Sequence, residues 1–210
     1  MKKYFLLSGI LCLLVSTVAV GQESTAGFKG GVNLSSLTTD GNNDNNLKVG
    51  FHAGVYNKIP LGRSFSLQPE LLYSGKGMKL NYDGSAFADG DSKFNLNYIE
   101  LPVKLVFNLA EDFEFQFGPY VAYLVNANVD TDADVLDFWE IDSEDEIDRD
   151  RFKSLDYGVS LGLGFDLNAL ILGFNYNLGL TQVAKDDDLS YDVLGDAKNS
   201  VIQVYAGLRF

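Results

Sequence analysis

Few residues in this 210-residue chain could do covalent chemistry, because it has one histidine and one cysteine. His52 is the only imidazole; as a general base it needs a carboxylate to orient it and a hydroxyl to activate. Asp156 and Ser160 supply those types, so a nucleophilic triad is one reading, and a histidine held among other polar groups is the preferred one. Cys12 falls in an apolar N-terminal run, with Ile10 and Leu11 before it rather than the small residues of a lipidation site. Without it the chain has no thiol for a disulfide, a thiolate metal site or a nucleophile. The run DTDAD, Asp130 to Asp134, repeats the spacing of the first three ligands of a calcium loop. That loop also needs a glycine at 135 and a glutamate at 141, where Val135 and Ile141 stand. The EF-hand pattern therefore fails. A weak calcium site on Asp130, Asp132 and Asp134, joined by Asp186 to Asp188, is set against a solvated acidic face. No phosphate-binding glycine loop or nucleotide motif occurs, and no cofactor is implied.

Charge narrows the partners. Lys2 and Lys3 open the chain, then the apolar stretch Tyr4 to Val15, then small residues including Ala19 and Gly21. This is the layout of a cleaved signal peptide over 1–21, too short for a spanning helix, with the mature domain over 22–210. The mature chain keeps 14 of the 16 basic residues against 29 acids, a net charge of −15. Such a chain repels nucleic acid. The acids are concentrated: 11 lie between Asn128 and Lys153, where Phe138 and Trp139 also sit. That aromatic pair points to a small loop core ahead of contact with a membrane surface or a partner.

Period-two alternation dominates what remains. It predicts eight strands, about Ala26–Leu37, Leu47–Ile59, Phe65–Gly75, Phe94–Asn108, Phe113–Ala127, Ser154–Leu167, Leu170–Val183 and Ser200–Phe210. One face of each is aliphatic and aromatic. The other carries glycines and polar groups, among them Glu70, Glu100, Lys104, Glu114, Asp156 and Arg209. The connections alternate between short turns and long polar stretches, so a meander of these strands has one tight end and one end with four long, acidic loops.

Each apolar row is about 9–11 residues long, the reach of a tilted strand across a bilayer. In lipid a sheet must close on itself, since every unpaired backbone group costs several kcal/mol. The predicted fold is therefore all-β, an eight-stranded antiparallel up-and-down transmembrane β-barrel. At eight strands side chains just fill the lumen, and Glu70, Glu100, Lys104, Glu114, Asp156 and Arg209 form a polar network there. The alternatives are a narrow pore and a soluble lipocalin-like barrel with its apolar face inward. Phenylalanines at the tight end of the apolar rows suit a lipid–water interface.

The final stretch SVIQVYAGLRF alternates to its end: Ile202, Val204, Ala206, Leu208 and Phe210 share one face. It resembles the signal read by the outer-membrane barrel assembly machinery. The whole of Gly27 to Phe210 resembles the PorT-like family of porin-like outer-membrane β-barrel proteins. The likeness rests on FKGGVNLSSL (Phe28–Leu37), LQPELLYSGKGM (Leu67–Met78), NYIELPVKLVF (Asn97–Phe107), FGPYVAYLV (Phe117–Val125) and YGVSLGLGFDL (Tyr157–Leu167). It implies a barrel in outer-membrane lipid of a Gram-negative-type bacterium, with periplasmic termini. It implies no catalytic residues; a structural role or an accessory role in secretion, with a surface partner, is the expectation.

Overall fold

A computed structural model of the chain describes residues 24–38, 47–82, 89–135, 139–146, 153–183 and 197–210. The described residues form nine strands: β1 (Thr25–Thr38), β2 (Lys48–Pro60), β3 (Phe65–Tyr82), β4 (Asp89–Asn108), β5 (Phe113–Val135), β6 (Trp139–Glu146), β7 (Leu155–Leu167), β8 (Leu170–Gln182) and β9 (Lys198–Arg209). All described pairings are antiparallel. Eight strands close a ring in the order β1-β2-β3-β4-β5-β7-β8-β9, and β1 pairs with β9 from Gly27↔Arg209 to Thr38↔Lys198. Closure removes both edges, which hydrocarbon demands.

The ninth strand departs from the sequence expectation. The stretch Asn128–Lys153, read there as a loop, continues β5 to Val135 and returns as β6, with Val135 opposite Trp139. The stretch Lys76–Lys93 likewise extends β3 and β4, which pair as far as Tyr82↔Gly90. Acid density suggested loops, but VDTDADV alternates β-formers with aspartates as strictly as any barrel strand does. The spacing of two that Asp130, Asp132 and Asp134 share with a calcium loop is also the spacing of one strand face. Here the backbone is a paired strand; the side chains of these three lie outside the described residues, as do residues 186–188.

One bulge separates the barrel from this extension. Tyr98 pairs with Leu124 but Asn97 pairs with Asn126, so Val125 is an added residue. A bulge shifts the side-chain parity by one, and Ala127 rather than Asn126 becomes buried. Two positions, one in a turn and one inside β3, carry special backbone. Asn168, at φ 65°, opens the two-residue β7–β8 hairpin, a conformation asparagine tolerates well. Gly77, at φ 136°, has Phe94 O 1.8 Å from where a Cβ would sit, so no other residue fits.

The apolar rows face outward. Phe28, Val49, Phe51, Leu155, Tyr157, Leu163, Phe165 and Leu208 are all exposed, while the polar rows are buried. This excludes the soluble alternative, which requires the reverse. Phenylalanines pair across strands near the short-turn end: Phe65 with Phe107 at 6.4 Å, Phe113 with Phe165 at 5.2 Å and Phe28 with Phe210 at 5.1 Å. Towards the other end, exposed tyrosines take over at Tyr73, Tyr123 and Tyr157. Phe65 and Tyr73 lie eight residue steps apart, and Phe113 and Tyr123 ten. At ~3.3 Å per residue and ~40° of tilt this is about 20–25 Å, the height of an outer-membrane apolar band flanked by aromatic girdles.

Leu161 (48 % exposed) and Val103 (41 %) sit within this band. Replacing either by arginine is expected to cost about 2–4 kcal/mol. The amount of protein recovered in washed, detergent-extractable membranes should fall sharply for each variant; unchanged recovery would reverse the assignment of faces.

Candidate functional site: the polar lumen

The inner face gathers charge from strands distant in sequence. Each strand contributes through simple alternation, so residues two apart on β3, β4, β5 and β7 project into one shared interior. Glycines on the same face admit the large rings. A Cβ at Gly173 would lie 2.3 Å from the Tyr205 ring, and one at Gly27 would lie 2.4 Å from Tyr56 Oη. Gly158 gives the same clearance to Tyr120, where a Cβ would come within 2.8 Å.

Three ion clusters are stacked along the lumen. Nearest the short turns, Lys58 of β2 pairs with Glu114 of β5 and lies 3.4 Å from Asp166 of β7. Arg209 of β9 reaches Asp166 at 2.5 Å. Glu114 also accepts from Gln116 Nε2, which donates to the Tyr205 hydroxyl at 3.1 Å as well. In the second cluster Glu70 is held between two lysines, Lys29 at 2.9 Å and Lys104 at 3.1 Å. Lys29 Nζ also stands 3.7 Å from the centroid of the Tyr205 ring, a cation–π contact. In the third, Lys76 of β3 bridges Glu100 at 2.7 Å and Asp156 at 3.4 Å. Asp156 accepts further hydrogen bonds from Asn199 (3.0 Å) and Tyr120 (3.3 Å), and Glu100 accepts one from Asn177 (3.2 Å).

Compensation across the clusters is complete. Among the described residues these ion pairs comprise five cations (Lys29, Lys58, Lys76, Lys104, Arg209) and five carboxylates (Glu70, Glu100, Glu114, Asp156, Asp166). Burying an unpaired charge is prohibitive, and each cluster ties together strands that are not neighbours in the ring. The ion pairs therefore brace the barrel across its axis. The side chains of Glu70, Glu100, Lys76 and Lys104 are essentially inaccessible.

His52 does not meet Asp156 or Ser160 in a hydrogen bond. Its Nδ1 lies 2.7 Å from Asn33 Oδ1, and Asn33 donates in turn to Ser74 Oγ and Gly75 O. Asp156 instead belongs to Lys76. Among the described residues Ser160 Oγ is buried without a hydrogen-bond partner, the base and the candidate orienting acid sit in separate hydrogen-bond groups, and no catalytic relay is assembled among the three.

Two features escaped the sequence reading. The strand predicted over Phe65–Gly75 stops one residue short of Lys76, which is among the most deeply buried side chains. Its signal was its parity: it continues the row Gln68, Glu70, Leu72, Ser74. Lys48, of the same parity as His52, is likewise buried and donates to Lys76 O at 3.0 Å. The second feature is an apolar layer above the third cluster, formed by Leu37, Leu96, Tyr98, Tyr120, Leu124 and Val183 with smaller residues. It stoppers the lumen towards the long connections. Parity is again their signal: Leu96 and Tyr98 continue the row of Glu100 and Lys104, and Tyr120 and Leu124 that of Glu114 and Gln116.

A closed antiparallel barrel with an apolar exterior and a packed, charge-balanced interior is an integral membrane barrel. The outer membrane protein beta-barrel domain model matches residues 20–185, and the chain belongs to that outer-membrane family. Among solved structures, Neisserial surface protein A is similar at a TM-score of 0.51 and 12 % identity, over 90 % of this chain and 100 % of that one. Ail, the attachment invasion locus protein of Yersinia pestis, aligns at a TM-score of 0.45 and 15 % identity, with the same coverage. At 12 % identity the likeness to Neisserial surface protein A speaks for the fold alone. No curated protein is significantly similar in sequence.

Lys76 provides the sharpest test of the lumen. Lys76→Met leaves Glu100 and Asp156 without their shared counter-charge and is expected to cost about 3–5 kcal/mol. The triple variant Lys76→Met/Glu100→Gln/Asp156→Asn removes all three charges and should recover most of that loss. Urea unfolding in lipid vesicles, read for wild type and both variants, measures the difference; equal losses in both would mean that charge balance does not hold the lumen together.

Proposed function

We propose that this outer-membrane barrel is a structural or interaction protein rather than an enzyme, and that its working surface is the long-connection end. The observation that carries this reading is the spent interior. Ion pairs occupy the charged lumen groups, and the Leu37–Leu124–Val183 layer stoppers the opening. A narrow pore would need a water path past both. What is left for a partner is the end with the acidic β3–β6 extension and the long connections.

In this reading the domain follows a cleaved signal peptide over 1–21, and both termini and the short turns face the periplasm. The long connections face the cell exterior. The outward-facing row Ile202, Val204, Ala206 and Leu208 of β9, with Phe210 directly after it, is then the stretch that engages the barrel assembly machinery before β9 closes on β1. Within the family, the motif resemblance favours a PorT-like member, and with it an accessory role in secretion or adhesion. The calcium reading of Asp130, Asp132 and Asp134 stands within the same proposal, as a site at the outer end.

Orientation has a direct test. The mature sequence has no cysteine, so single cysteines report cleanly. A membrane-impermeant maleimide on intact cells should label Ser143→Cys in β6. It should leave Arg63→Cys, in the short β2–β3 turn, unlabelled until the outer membrane is broken. The opposite pattern would invert the barrel.

A further inference from the structure

Among the described residues β6 is a sheet edge: it pairs with β5 alone and ends the strand order. An exposed edge offers a row of backbone donors and acceptors to another strand. The residues on it are unusual. Register places Asp89, Asp134 and Glu140 side by side across β4, β5 and β6, and Asp91, Asp132 and Asp142 in the next matched row. Like charges directly opposite each other in a sheet are destabilising. Lys93 answers the third row, Asp130 and Glu144, but the first two rows contain acids only. The alternate positions Trp139 and Ile141 lie opposite Val135 and Ala133.

We infer that the free edge of β6 is a docking strand for an extended basic segment of another protein. That segment would carry lysine or arginine at every second position, in register with Glu140, Asp142 and Glu144, and apolar residues between them. Charge complementarity selects this occupant. The chain's own stretch 184–196 holds five acids and one lysine, and a second copy carries the same −15 charge after signal removal. Both repel the acidic rows, whereas a strand with alternate cations neutralises them while completing the backbone ladder. The inference rests on the outer-surface reading given above, and names the class of partner that surface takes.

Trp139 is the only tryptophan in the chain, so intrinsic fluorescence of the full-length protein in detergent reports on β6 directly. The probe is a synthetic octapeptide alternating lysine and valine. It should shift Trp139 emission saturably. A block-scrambled peptide of equal composition, and one N-methylated along its backbone, should bind about tenfold more weakly or worse. The variant Glu140→Lys/Asp142→Lys/Glu144→Lys should lose the basic peptide and gain an alternating glutamate–valine one. Far-ultraviolet circular dichroism of the same samples separates a lost edge from a lost barrel. Equal binding of the scrambled peptide overturns the proposal, as does a Trp139 response to calcium with none to the peptide.

Discussion

A charge that enters the lumen of an eight-stranded barrel has to find its counter-charge on another strand. The interior is too narrow to keep bulk water, so the Lys76–Glu100–Asp156 cluster and the Lys29–Glu70–Lys104 cluster must balance among themselves. That requirement reaches outward into the fold. It fixes how β3, β4, β7 and β1 are staggered, because a slip of one residue would turn a whole polar row into lipid. It also explains why bulky rings and glycines share the inner face, Tyr205 against Gly173 and Tyr56 against Gly27. Ion pairs set the charge balance, and rings opposite glycines fill the remaining volume.

Lipid imposes the complementary demand on the outside. Backbone groups are satisfied by closing β1 on β9, and the outer face is left to aliphatic side chains between phenylalanine and tyrosine girdles. Past the tyrosines the demand ends. There the bulge at Val125 resets the parity, and β5 runs on into a sheet that no longer has to be apolar on its outer face. The same chain thus switches from a membrane strand to an acidic strand across a single bulge in the pairing, and the dense acids of β5 and β6 belong to the second regime.

The barrel itself was legible because one signal, alternation, fixes both strand count and face. Strand ends were less so. Lys76 falls just past the predicted strand end at Gly75, where glycine looks like a turn, although its parity matches the inner row; Lys48 lies inside the predicted Leu47–Ile59 strand. The acids of Asp130 to Asp134 hid a strand because charge density outweighed period in the reading. Within the lumen, alternation carries which residues share an interior and says nothing about which meet. Pairing Lys76 with Asp156, 80 residues away, needs the stagger of the ring. His52 shows the same limit: its type suggested a triad, and its position gives it to Asn33.

The account stands on closure of β1 against β9 with the apolar rows outside. Gel migration of the detergent-extracted protein, unheated against boiled, tests it most directly. A closed membrane barrel resists the detergent until heated, so the two samples should run at different apparent masses from a washed outer-membrane fraction. Identical migration, with the protein recovered in the soluble fraction without detergent, would contradict the closed membrane barrel at its root.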